Sequence, residues 1–251
     1  MVESHVAAST IKLLPSLQYG ASEVAPYLLG RSAVSFSPSG ASVYGGSVGS
    51  KVCRMEISAS VGAMLDLRSL YVSATVFNTG SLALKFLSPS LSGCLASARI
   101  ILAGVEVSSC DYIARTEHLL SQLQSTDDRR ADFEAGFGIT AATATDTYGE
   151  YKCKAIAAGG SRNITWKPKT LGILNSTSYL PLSLISGPLV LEMTFHDDPR
   201  AGIDNTGESE SNTVSFSVSD LQCHVDVLSV DPAFLTTLSS HLLASNSLNI
   251  S

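Results

Sequence analysis

Leu189-Val190-Leu191-Glu192-Met193-Thr194-Phe195-His196 is the stretch on which the fold class turns. Leu189, Leu191, Met193 and Phe195 fall on one side of a two-residue period, and Val190, Glu192, Thr194 and His196 on the other. That period belongs to a strand with one buried face; on a helix the same four apolar residues would scatter around the axis. The alternation places Met193 and Phe195 inside and Glu192 outside.

The same pattern recurs on both sides of this strand. Val52, Arg54 and Glu56 alternate with Cys53, Met55 and Ile57, and Leu70, Val72, Ala74 and Val76 alternate with Tyr71, Ser73, Thr75 and Phe77 before Asn78-Thr79-Gly80 turns the chain. Ala98 to Leu102 and Val105 to Ser108 flank Ala103-Gly104, a connection of hairpin length. Strand signals return at Tyr148 to Ala155, Asn163 to Trp166, Thr213 to Val218 and Leu221 to Val230. Helices interrupt the series rather than alternate with it. Tyr112, Ile113, Leu119, Leu120 and Leu123 predict an amphipathic helix capped by Ser109 or Asp111. A second short helix follows Thr126, with Asp127 and Asp128 at its positive end and Phe133 as its buried anchor. Asp231-Pro232 opens a terminal helix whose apolar face is Phe234, Leu235, Leu238 and Leu242.

About eight strands without regular helical crossovers predict an all-β fold, a jelly-roll sandwich with a short helical insertion and a C-terminal helix. Residues 1–50 are expected to be an irregular Ser/Gly-rich arm, 51–230 the sandwich with its helical insertion at 111–134, and 231–251 the terminal helix with a linker.

Of the 251 residues, 45% are hydrophobic and only 15% charged, against roughly 25% charged in ordinary globular domains. Ser, Thr, Gly and Ala fill the difference, a composition suited to subunit contacts, where Lys, Glu and Asp are depleted. With a formal net charge of −6 and no basic run longer than Arg129-Arg130, direct nucleic-acid binding is not expected. The five cysteines, at positions 53, 94, 110, 153 and 223, form no C-x-x-C pair and are expected to stay free thiols. Met1 to His5 contains an acid and no basic region, so no secretory signal is expected. Leu171 to Phe195 is broken by Asn175, Pro181, Gly187 and Pro188 and does not read as a membrane span.

Several clusters resemble functional sites without meeting the requirements of one. Gly45, Gly46, Gly49 and Lys51 fall near one another, but a phosphate loop needs its glycine directly before the lysine and a helix afterwards. The sequence contains no G-x-S-x-G elbow. His196, Asp197, Asp198 and Asp204 could offer ligands to a cation, but a solvated acidic loop at a strand end is the preferred reading. His224 and Asp226 belong to the polar face of a strand, His118 and His241 pack on helices, and Asp127, Asp128, Arg129, Arg130 and Asp132 form a solvated helix face. Asn163, Asn175 and Asn249 start N-x-S/T triplets, which a chain rich in Ser and Thr produces by chance. No catalytic residue, metal ligand or cofactor is expected.

Four segments carry a resemblance. They are Leu65-Asp66-Leu67-Arg68-Ser69-Leu70; Leu102 to Val107 followed by Asp111-Tyr112, Arg115 to His118, Asp128 to Ala131 and Glu134-Ala135-Gly136-Phe137-Gly138; Leu171 to Asn175 with Tyr179 to Leu182 and the strand ending at Phe195; and Val230-Asp231-Pro232-Ala233. In this order they resemble the N-terminal jelly roll of double-jelly-roll major capsid proteins of polinton-like viruses and adintoviruses, over most of 51–243. The resemblance implies a structural subunit of a virion, not an enzyme, which packs into pseudo-hexameric trimers of an icosahedral shell. It is expected to assemble with itself and neighbouring capsid proteins, and to reside in the host cell interior during assembly. Family members carry two sandwiches and this sequence one, so a fragment, a split gene or an endogenous genomic copy is implied, with a second jelly roll as partner. The alternative from another class is a carbohydrate-binding jelly roll, against which stand a single tryptophan and an aromatic share of 7%.

Overall fold

The computed structural model describes residues 28–45, 49–60, 62–86, 88–139, 153–185, 187–196 and 215–245. Among these, nine strands form two antiparallel sheets. They are β1 (Leu28–Phe36), β2 (Val43–Tyr44), β3 (Val52–Ile57), β4 (Ala63–Asn78), β5 (Leu95–Leu102), β6 (Val105–Asp111), β7 (Ser161–Trp166), β8 (Leu189–Phe195) and β9 (Phe216–Val230). Three α-helices accompany them: α1 (Ile113–Ser121), α2 (Thr126–Ala135) and α3 (Pro232–Ser245).

One sheet runs β1-β9-β4-β7, with β2 continuing the β1 edge of β9; the other runs β3-β8-β5-β6. The order is that of a long antiparallel ribbon rolled over itself. At its tip β5 pairs β6; behind it lie the ribbon pairs β4 with β7, β3 with β8 and β1 with β9. Rolling adds the β4–β9 and β5–β8 ladders. This nesting is the jelly roll.

Alternation sets what lies between the sheets. Cys53, Met55 and Ile57 of β3 and Leu189, Leu191, Met193 and Phe195 of β8 face Leu70, Val72 and Val76 of β4 and Phe216, Val218, Cys223 and Val225 of β9, all essentially without solvent exposure. Aromatic rings close one part of the core: Tyr44 stacks on Phe195 with centroids 5.7 Å apart, and Phe86 stacks on Phe137 at 4.4 Å while meeting Phe216 edge-on. At the ribbon's tip Ala103 and Gly104 take φ of 49° and 84°, the paired positive angles of a two-residue hairpin turn. Gly136 is fixed by space instead: a Cβ there would stand 1.7 Å from the Pro89 carbonyl oxygen, which accepts the Phe137 amide at 2.8 Å.

Four expectations are corrected. Residues 28–36, assigned to an irregular arm, form β1, because Leu28 to Phe36 find backbone partners on β9 even though their side chains bury little. Thr213 to Val218 and Leu221 to Val230 were expected as two strands; Phe216–Val230 is one, accommodating Asp220 at φ 51° as an irregularity in its ladder with β4. The strand expected at 148–155 falls partly outside the described residues, and Cys153 and Ile156 make isolated bridges to Ile139 and Leu84. Ser109 and Asp111 do not cap α1, since both belong to β6; Tyr112 occupies the cap position at φ 53° with no side-chain bond. By contrast α2 starts where its acidic turn indicates, with Ser125 accepting the Asp128 amide, and Phe133 is buried. Asp231 likewise accepts the Ala233 amide at 2.7 Å at the start of α3.

Candidate assembly surface

The helical insertion between β6 and β7 carries the largest departure from the expected burial. Ile113 and Ala114 sit under the start of α1, whereas Tyr112, Leu119, Leu120 and Leu123 are exposed, Leu123 by 83%. The expected stripe needs a continuous helix from Tyr112 to Leu123. Here the helix spans only Ile113–Ser121, so Tyr112 and Leu123 fall outside it, and within it Leu119 and Leu120 face solvent while Ser121 is buried. The preceding strand, β6, is a sheet edge with Val105 and Val107 exposed. Free edges and exposed leucines are features that proteins blunt unless a partner covers them.

A row of charges crosses the outer face of the four-stranded sheet. Arg54 of β3 and Arg99 of β5 stand directly opposite Glu192 of β8 on either side. Arg54 Nε donates to Glu192 Oε2, Arg99 Nε donates to Oε1 at 2.6 Å, and Arg99 Nη1 reaches Glu106 of β6 at 3.4 Å. Glu192 therefore points outward as its period requires, yet only 3% of it is exposed, because two arginines lie over it. Burial alone would raise its carboxyl, but the hydrogen bonds from Arg54 and Arg99 outweigh that and hold it below the ordinary glutamate value.

The opposite sheet places the polar residues singled out in the sequence. Asp226 and Asp66 stand opposite each other on β9 and β4, and Arg31 of β1 bridges them, with Nε 2.7 Å from Asp226 Oδ2 and Nη2 2.9 Å from Asp66 Oδ2. His224 stacks on Tyr71 at 4.6 Å, and its Nε2 lies 2.9 Å from Ser73 Oγ. A serine beside an imidazole is half of a nucleophilic site. A hydrolase also needs a group orienting the ring and donors for an oxyanion; among the described residues Ser73 is the one hydrogen-bond partner of the His224 ring, and Asp226 is committed to Arg31. The sequence missed this pair because Ser73 and His224 meet only through the β4–β9 register. His196 follows β8 and lines one hollow with Asp111 and Arg115, while Asp197, Asp198, Asp204 and Asn249 and the side chain of His241 lie outside the described residues. No group of three or more His, Cys, Asp or Glu among the described residues is arranged to hold a metal. Lys51 leads into β3 rather than into the helix that follows a phosphate loop. On α2, Arg130 pairs with Glu134, and Asp132 reaches across to Lys169.

All five cysteines are free thiols. Burial pushes Cys53 and Cys223 up to about 12 and Cys94 well above its usual range. Cys110 alone is partly exposed. Since the thiolate is the reacting form, an alkylating reagent is expected to label one cysteine per folded chain rapidly, at Cys110, and all five after unfolding. Mass spectrometry after timed labelling checks this; rapid native labelling at Cys53 or Cys223 would contradict the core assignment.

The nested strand order and its single core define the chain as a jelly-roll β-sandwich. The same fold is found in PBCV-1 VP54, fitted into a cryo-EM reconstruction of the virophage Sputnik, at 14% identity over 84% of this chain and 44% of that one, with a TM-score of 0.51. It is found again in the 3.5 Å cryo-EM structure of the Sputnik virophage, at 12% identity over 88% and 52%, with a TM-score of 0.50. These neighbours are double-jelly-roll viral major capsid proteins. The chain spans about half the length of the solved structures it matches. No protein-family model matches the sequence, and no curated protein matches it. At such identities the likeness establishes the fold.

Proposed function

We propose that the chain is a structural capsid subunit, a non-enzymatic jelly roll that packs side by side with a second sandwich, three such pairs forming a capsomer of hexagonal outline. The observation that carries this reading is the jelly-roll fold shared with the viral structure, on a molecule whose insertion and sheet edge leave leucines, valines and Tyr112 uncovered. Its place is the virion, and its partners are copies of itself and neighbouring coat proteins. A net charge of −6 disfavours direct contact with the packaged genome. No helix among the described residues is long and apolar enough to cross a membrane. The sequence resemblance favours a polinton-like or adintovirus origin, including a split or endogenous gene. In the domain scheme, α3 and the residues after it lead toward the second sandwich.

Electron microscopy of the chain purified together with its companion sandwich tests the proposal, with hexagonal capsomers of uniform size expected. Dispersed single particles that bind a glycan array would favour the carbohydrate-binding alternative instead.

A further inference from the structure

The helix α1 is nine residues long, too short to keep its form without packing, and few points fasten it to the sandwich. Ile113 and Ala114 at its start and Ser121 at its end are buried. Between them Glu117 makes, among the described residues, the only side-chain hydrogen bonds from α1 that reach the body of the sandwich. Trp166 Nε1 of β7 donates to Oε1 at 2.9 Å and to Oε2 at 3.2 Å, and Ser90 Oγ, just before the Leu91–Cys94 turn, lies 3.1 Å from Oε2. Ser90 Oγ is bonded in turn to Ser92 Oγ at 2.9 Å, and Ser92 Oγ to Ser88 Oγ at 2.6 Å, all three serines being buried.

This setting suits a neutral carboxyl. Among the described residues no Lys, Arg or His forms an ion pair with Glu117. Of the charged groups on the same lining, Asp132 of α2 is paired with Lys169, whose Nζ lies 2.6 Å from Oδ2, and its own charge opposes a second anion. Lys167 is exposed to water, and Arg162 of β7 lies instead against Gly138. Tyr71 of β4 and Cys94 of the turn bring an uncharged hydroxyl and thiol. With the carboxyl protonated, Oε2 donates to Ser90 Oγ, and the serine hydroxyls, which donate in either direction, pass the bond along to Ser92 and Ser88. Loss of the proton leaves a charge in a mainly apolar place with no cation to meet it. Burial accordingly raises the carboxyl above its ordinary value of 4.5, outweighing the hydrogen bonds from Ser92, Trp166 and Ser90 that favour the ionised form.

We propose that Glu117 is a proton-operated latch: protonated, it pins α1 to β7 and to the serine-lined turn, and on losing its proton it weakens that docking. Leu119 and Leu120 are exposed on the same helix, so the latch sets how firmly they are presented. It acts within one chain and stands independently of the capsid reading. Because the carboxyl is raised in the docked helix and ordinary in a released one, its contribution to docking is fully present below 4.5 and is lost as pH rises through the docked value.

Trp166 is the chain's one tryptophan, so its indole ¹⁵N–¹H resonance reports on the latch. In a pH titration of the full chain that resonance is expected to follow an ionisation with its midpoint above 4.5. The transition should be absent in Glu117→Gln, whose amide keeps a donor for Ser90 and an acceptor for Trp166. Hydrogen exchange of the α1 amides, taken relative to the intrinsic rate at each pH, should lose protection over the same range in the wild type and not in Glu117→Gln. The loss expected is about tenfold for each unit by which the midpoint exceeds the ordinary value. Ser90→Ala removes one donor to the ionised form, leaves Trp166 in place and should move the midpoint further up, an independent check should Glu117→Gln misfold. A midpoint at or below 4.5, α1 protection unchanged through the transition, the same loss of protection in Glu117→Gln, or a lowered midpoint in Ser90→Ala would overturn the latch.

Discussion

Met193→Asp is expected to abolish the cooperative thermal transition, and Phe195→Asp to do the same. Both side chains are essentially fully buried, Met193 between the sheets and Phe195 stacked on Tyr44. A carboxylate at either site loses its hydration and gains no cation, a cost of several kcal/mol. Whole domains are stable by only about 5–15 kcal/mol, so one such substitution removes most of the margin. Glu56→Ala is the matched control: it is outward-facing on the neighbouring β3 strand and exposed, and substitutions of that kind stay within about 0.5 kcal/mol. Circular dichroism melts compare the three; a cooperative melt near the wild-type temperature for Met193→Asp would place the strand in the wrong register.

Glu192→Gln is expected to have the second-largest effect, a loss of about 1.5–3 kcal/mol near neutral pH, the range for hydrogen bonds to charged groups. The larger figures for fully buried pairs do not apply, because Arg54 and Arg99 remain partly in water. The effect has a pH signature. Since the native carboxyl lies below its ordinary value of 4.5, its contribution is fully present above that value and is lost as pH falls through the native pKa. Urea unfolding across that range should show wild type and Glu192→Gln converging in acid and diverging toward neutral pH. Parallel curves would mean that Glu192 is not held by the two arginines.

Glu192 also marks the limit of what one sequence reveals. The two-residue period gives its direction correctly, and on that basis alone its replacement would be expected to matter little. What buries it is the cross-strand register, which puts Arg54 and Arg99 directly beside it; their outward positions on their own strands were the available signal. The Ala103-Gly104 hairpin and the Asp231-Pro232 helix start were legible because local chemistry determines each. β1 was not, since its stability comes from backbone pairing with β9, about two hundred residues away in the chain, and its composition carries no periodic face. The α1 stripe misled for the opposite reason: its apolar spacing is helical, but the helix packs through Ile113, Ala114 and Ser121, turns Leu119 and Leu120 to solvent and stops before Leu123.

Exposed apolar patches larger than about 300–600 Å² ordinarily mark an interaction site or a liability to aggregate. Light scattering of the purified chain, alone and co-expressed with a matching second sandwich, therefore tests the capsid account most directly. Polydisperse oligomers are expected for the chain alone and discrete trimers of heterodimers with the second sandwich present; a monomer that stays monodisperse at high concentration and ignores the second sandwich would contradict the account.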